Sequence, residues 1–269
     1  MDELLPWLAL LSGLVVGGAL GLTGGGGSIF ALPLLVYLLG VPLREAVALS
    51  LAVVGLTALF GAVMQRKNVL WGAGAMLGVG GIAGAPPGAM LGAALPETLV
   101  LSLFAGLMLF IGYRLWRGGS NLEIPIGRFT CARDTDGELR FHWPCAVKLA
   151  LAGAATGLLA GIFGVGGGFL VVPALILVTA MPLHQVVATS LVGIALVSAS
   201  AFVSNLAAAG SLPLATGALF LAGALPGMIA GTATKSRCSP RMLQRLFAAA
   251  VVGVALYVLL QATGLLPAR

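Results

Sequence analysis

Residues 21–33 read GLTGGGGSIFALP, and 140 positions further on residues 161–173 read GIFGVGGGFLVVP. Each stretch is a glycine cluster followed by an apolar run and a proline, Pro33 or Pro173. In soluble proteins such clusters are linkers or phosphate-cradling loops. Here they sit between long runs of Leu, Val and Ala, so the surroundings decide what they are.

Those surroundings ask for lipid. Apolar residues fill 59% of the 269 positions and charged residues 8%, with a mean hydropathy of +1.10. Soluble domains carry roughly 25% charged residues, so this chain has too little polar surface to cover a globule in water. Its 40 glycines follow no G-X-Y period and suit close helix crossing in a bilayer. Continuous rather than alternating apolar runs disfavour a β-barrel. The start, MDELLPWLAL, has acidic Asp2 and Glu3 and no basic residue, so the first apolar stretch is expected to be a retained membrane helix, not a cleaved signal. The net charge of +6 lies at segment ends and loops, which orients a membrane protein and calls for no nucleic acid.

The two halves align. At a shift of 140, Gly24, Gly26 and Gly27 fall on Gly164, Gly166 and Gly167, and Pro33 on Pro173. VPLREAVALSL (41–51) falls on MPLHQVVATSL (181–191), pairing Ser50 with Ser190, and Gln65 falls on Asn205. One residue then drops out, after which PGAMLG (87–92) matches PGMIAG (226–231). This is an internal duplication, a common plan of secondary transporters. Each copy, 1–117 and 145–269, holds about five apolar segments. They lie near 5–22, 29–40, 43–63, 70–94 and 97–117, then 145–162, 168–180, 184–208, 211–232 and 240–261. A spanning helix needs about 20 residues; 29–40 and 168–180 are too short, so each glycine cluster marks a broken or re-entrant helix. The fold class expected is an all-α polytopic membrane protein.

Residues 118–144 are the polar linker between the copies. Its DTDGEL lacks the remaining ligands of a calcium loop and reads as an Asp-Gly turn. Cys131, His142 and Cys145 lack a fourth metal ligand, and with Cys238 the cysteines read as free thiols. No metal or other cofactor is called for. Positive charge follows the third segment in copy one (Arg66, Lys67) but the fourth in copy two (Lys235, Arg237, Arg241, Arg245). The positive-inside rule then sets the copies in opposite orientation, an inverted-topology repeat with a cytoplasmic linker and both termini outside.

All acids, at 2, 3, 45, 97, 123, 134, 136 and 138, lie at segment ends or in loops, and so do His142 and His184. Cation pathways and proton relays place carboxylates or histidines within the bilayer, so such pathways are disfavoured. Hydrolytic chemistry is disfavoured too, since no nucleophile, base and acid gather in one region; the chain does not read as an enzyme. An anion needs only free helix-start amides, with glycines letting it approach the backbone. The candidate substrate-binding set is therefore Thr23, Gly24, Gly25, Gly26, Gly27 and Ser28 in copy one. In copy two it is Gly164, Gly166, Gly167 and Gly168, with Ser50, Thr189, Ser190 and Asn205 as neutral donors nearby. Pro33, Pro173, Pro87 (beside Pro86) and Pro226 are candidate kinks or gates. The competing reading is that the glycines only permit close packing.

The duplicated GLTGGGGSIFALPLL and GIFGVGGGFLVVPAL, each followed by a PL…SL stretch and a later PG…G, resemble the sulfite exporter TauE/SafE family of membrane transporters. The resemblance covers nearly all of the chain outside 118–144. It implies an inner-membrane carrier of small sulfur anions: sulfite, sulfoacetate or related organosulfonates. An anion channel, or a structural membrane protein that moves nothing, stands as the alternative, and a homo-oligomer is compatible with each. Val165 interrupts the second cluster where Gly25 continues the first, so the two halves of any site are not equivalent.

Overall fold

In a computed structural model the chain is described over residues 4–117, 143–179, 181–209, 212–234, 248–249, 251–256 and 258. Among these residues the regular structure is helical, with no strand. The helices are α1 (Leu5–Thr23), α2 (Ser28–Pro33), α3 (Leu43–Met64), α4 (Trp71–Ala94), α5 (Glu97–Arg117), α6 (Trp143–Phe163), α7 (Gly168–Val178), α8 (Leu183–Ala209) and α9 (Leu214–Thr234). Six are long and apolar enough to cross a bilayer, namely α1, α3, α4, α6, α8 and α9, so the protein is an all-α polytopic membrane protein. The segment expected at 240–261 is helical where described, and 118–142, with the calcium-like stretch, lies outside the described residues.

Glycine and proline set the breaks. Pro6 lies in the first turn of α1, where a missing amide costs nothing. Gly24 ends α1 with φ 77°, its amide bonding the Leu20 carbonyl at 2.7 Å. Pro33 closes α2, and a π-helical turn follows over Leu34–Leu38, with Leu39 N–H reaching back to Leu34 O at 3.1 Å. Gly40 at φ 66° and Pro42 then redirect the chain into α3. Pro86, Pro87 and Pro226 lie inside helices that run on without interruption. Pro86 denies an amide to the carbonyl of Ile82, four residues back, and the Ser200 hydroxyl of α8 fills the gap at 3.1 Å.

The copies interlock rather than fold side by side. The first helix of each packs along the fourth helix of the other, α1 on α9 and α6 on α4. Glycines repeat every fourth residue along these seams. A methyl at Gly13, Gly17 or Gly21 would overlap the carbonyl of Phe220, Ala224 or Met228. One at Gly80, Gly84 or Gly88 would overlap that of Ala150, Ala154 or Leu158. Backbone meets backbone here, the arrangement that gains most dispersion between helices in lipid. Outward-facing Trp7, Leu59, Met90, Phe110 and Leu151 are exposed, as lipid contact requires.

The same contacts fix helix direction. Residue numbers rise together along both seams, so α1 runs parallel to α9 and α4 to α6. Leu49 against Gly217 and Met228 against Gly61 make α3 parallel to α9. Val192 and Leu196 against Gly74 and Gly78 make α8 parallel to α4. α3 and α8 are antiparallel: Gly55 meets Ser198 near their middles, while Leu70, just past α3, bonds Thr189 near the start of α8. One end of the bundle therefore carries the C-termini of α1, α3 and α9, and the other those of α4, α6 and α8.

One expectation fails. Cys145, at the start of α6, is disulfide-bonded, not a free thiol; its partner lies outside the described residues. Spacing along the chain says nothing of which sulfurs the fold brings together.

Candidate functional site

Each glycine turn is held by the opposite copy. The Gly24 carbonyl accepts from the Ser190 hydroxyl of α8 at 2.8 Å. The Gly164 carbonyl accepts from the Ser50 hydroxyl of α3. Gly164, at φ 66°, turns the chain at the end of α6, its amide bonding Ala160 O at 2.9 Å. Val187 fills the space beside Gly24 and Val47 the space beside Gly164. Ser50 and Ser190, like Val47 and Val187, are 140 positions apart. Residue i touching j′ while j touches i′ is the reciprocity of a two-fold relation. Changing Ser50 or Ser190 to Ala leaves one buried carbonyl unpaired. Each variant is expected to lose about 1–3 kcal/mol, the two by similar amounts, read as thermal unfolding in detergent.

The turns also meet each other. Gly25 lies against the Gly168 carbonyl, and Gly168 against the Ser28 hydroxyl. Gly166 sits beside Ser198 and Val54, and Gly168 beside Ile194, which places the junction halfway along α3 and α8. Ser28, Ser50, Thr189 and Ser190 are all fully buried at 0% exposure.

Hydrogen bonding separates the candidates. Thr23 donates to Ala19 O at 2.7 Å and accepts from the Gly26 amide at 2.8 Å. Ser28 donates to Gly25 O at 2.8 Å. The single hydroxyl protons of Thr23, Ser28, Ser50 and Ser190 are thus committed to carbonyls in this conformation and hold the turns in shape. Thr189 accepts from the Leu70 amide at 3.0 Å, tying the α3–α4 connection to α8. The amides of Gly25 and Gly27, and of Val165, Gly166, Gly167 and Gly168, find no acceptor among the described residues. A buried, unspent amide is costly unless something polar visits it. These six amides, belonging to two helix starts, are the donors available to an anion.

The turns differ in conformation. Gly164, Gly166 and Gly167 all have positive φ, whereas in the copy-one turn at 24–27 only Gly24 does, and Gly27 lies at φ −61°. Ser198 donates to Gly166 O at 3.3 Å, and its counterpart in copy one is Ala58, which has no hydroxyl.

Asn205 stands apart, at the end where α4, α6 and α8 finish. Its amide donates to Ala201 O at 2.9 Å and Gly161 O at 3.3 Å. It lines a recess of about 40 Å3 with Arg44, Val47, Gly92, Glu97 and Ile162. Val47 both lines this recess and packs against Gly164, so the recess lies next to the Gly164 turn. Sequence reading missed Arg44, Val47, Val187 and Ser198; the valines carry a signal, being an identical pair within the aligned VPLREAVALSL and MPLHQVVATSL.

Six bilayer-length apolar helices around two buried helix starts belong to a multi-pass helical membrane protein of the transporter class. The chain belongs to the sulfite exporter TauE/SafE family, whose profile matches residues 9–258. It is 32% identical over 253 residues to a "Probable membrane transporter protein" of Xylella fastidiosa strain 9a5c, covering 92% of each chain. It is 28% identical over 256 residues to the "Probable membrane transporter protein YjnA" of Bacillus subtilis, covering 90% of this chain and 95% of that one. No solved structure matches it.

Proposed function

We propose that the protein is a secondary transporter exporting a small sulfur oxyanion or sulfonate, such as sulfite or sulfoacetate, across an inner membrane by alternating access. The observation that carries this reading is the junction of two glycine turns, with six buried amides that find no acceptor among the described residues, while the two described carboxylates, Glu45 and Glu97, lie in the first turns of α3 and α5. Helix-start amides offer partial positive charge to an anion and release it more readily than a buried lysine would. With no embedded carboxylate, any proton travels on the substrate.

Helix directions support an inverted repeat: α1, α3 and α9 run one way, and α4, α6 and α8 the other. Corresponding helices of the two copies thus oppose each other, as an alternating-access repeat pair requires. The two turns, alike in sequence and different in φ, fit a carrier caught on one side, with exchange of turn conformations as the switch. Arg66, Lys67 and Lys148 share one end, which the positive-inside rule makes cytoplasmic. The Cys145 disulfide lies at that same end and weighs the other way, since disulfides favour oxidising compartments. Labelling a single cysteine at Asn68 with an impermeant maleimide decides: no labelling of intact cells is expected, and labelling reverses the orientation.

The function is tested by sulfite efflux from proteoliposomes. Flux that saturates with sulfite concentration is the expected result. Flux rising without saturation makes the protein a channel, and none at any concentration makes it structural.

A further inference from the structure

We propose a second polar chamber, at the opposite end of the transport path from the Asn205 recess, in which Gln65 and Thr232 take the same oxyanion as it passes the Gly24 turn. The proposal rests on the transport reading above. The recess at the Asn205 end is bounded by Arg44 and Val47 from the start of α3, Gly92 from the end of α4, Ile162 from the end of α6 and Asn205 from α8. Shifting each by the repeat names His184, Val187, Gly231, Leu22 and Gln65, with Thr232 beside Gly231 where Ala93 stands beside Gly92.

The packing brings the key pair together. α3 and α9 run parallel with Met228 against Gly61; Gln65 and Thr232 each lie four residues further, one turn on along the same faces. The Gln65 amide continues that turn, bonding Gly61 O at 3.0 Å. Gly21, near the end of α1, packs on the Thr232 backbone. Val187 packs against Gly24, as Val47, which lines the recess, packs against Gly164.

What points to a ligand is unspent hydrogen bonding. Gln65 Nε2 and Thr232 Oγ1 are both buried with no partner, whereas Asn205 has spent its donors on Gly161 and Ala201. Two neutral donors, unpaired and abreast at the end that also carries Arg66 and Lys67, suit a small oxyanion that is to be held briefly and released. A purely structural pair of this kind costs stability and returns nothing.

The experiment changes Thr232 to Val and Gln65 to Met, which keep shape and remove the donors, and follows sulfite efflux from proteoliposomes and sulfite-induced thermal shift. Each variant is expected to raise half-saturation about 5- to 10-fold, the factor one neutral hydrogen bond supplies. Unfolding temperature without sulfite should hold or rise, because an unpaired polar atom has been removed. Ser12→Ala, which removes a buried unpartnered hydroxyl from α1, should leave half-saturation unchanged. Wild-type half-saturation in both variants, or a loss of stability that accounts for the lost flux, overturns the chamber. Absence of saturable flux and of thermal shift in the wild-type protein overturns the transport reading itself.

Discussion

Leucine in place of Gly84, or separately of Gly17, is expected to leave almost no folded protein in the membrane. At Gly84 the first side-chain carbon would overlap the Ala154 carbonyl of α6, and at Gly17 the Ala224 carbonyl of α9. Both obstacles are backbone, so no rotamer change relieves them and whole helices must part. Overpacking costs about 1–3 kcal/mol where side chains yield, and more where they cannot. A parted seam also forfeits neighbouring contacts along its length, against a total stability of only about 5–15 kcal/mol. Because each seam joins one copy to the other, a break is felt by both. Gly106→Ala is the control: nothing lies within 4 Å of its added carbon, and alanine is the better helix former by about 1 kcal/mol. Size-exclusion of detergent extracts reads the outcome. A monodisperse Gly84→Leu protein with wild-type unfolding would show that the seams are not what holds the copies together.

The chain's punctuation was legible because glycine and proline act locally. The short segment expected at 29–40 is helical over Ser28–Leu38, and that expected at 168–180 over Gly168–Val178. Those boundaries follow from Gly24, Gly40, Gly164 and the neighbouring prolines. Pairing was not legible. Four-residue glycine spacing occurs on α1, α4, α6 and α9 alike, and nothing in the spacing says which helix takes which partner. Side-chain roles were legible only in part. A hydroxyl near a helix start looks the same whether its proton goes to a carbonyl or to a ligand. Ser50 and Ser190 reach across to the other copy, and that reach is a property of the assembled fold. The difference in φ between Gly26 and Gly166 was invisible for a sharper reason: glycine permits both conformations, so the same residue serves two states.

That freedom yields the second large effect. Alanine at Gly166 is strained as the protein stands, because φ is +66° and the new carbon would crowd the Ser198 hydroxyl and Val54. Left-handed backbone alone costs alanine about 1–2 kcal/mol, so Gly166→Ala should unfold earlier than wild type. Gly26, its counterpart in copy one, is not left-handed here, so alanine there carries no such backbone cost in this state. If alternating access exchanges the turn conformations, Gly26 becomes left-handed in the other state and the same penalty falls there. Raising one state by 1–2 kcal/mol lowers its population roughly 5- to 30-fold. Gly26→Ala should then lose sulfite turnover by about that factor while unfolding near the wild-type temperature, the opposite balance from Gly166→Ala. Wild-type turnover in Gly26→Ala would mean that this residue never takes its partner's conformation, and the switch would have to lie elsewhere than in the turns. Equal destabilisation in both variants would mean that packing, not φ, limits alanine at these positions. Because the two residues are paired by the repeat, each serves as the other's control: the difference between them measures the cost of a conformation, with the chemistry of the substitution held fixed.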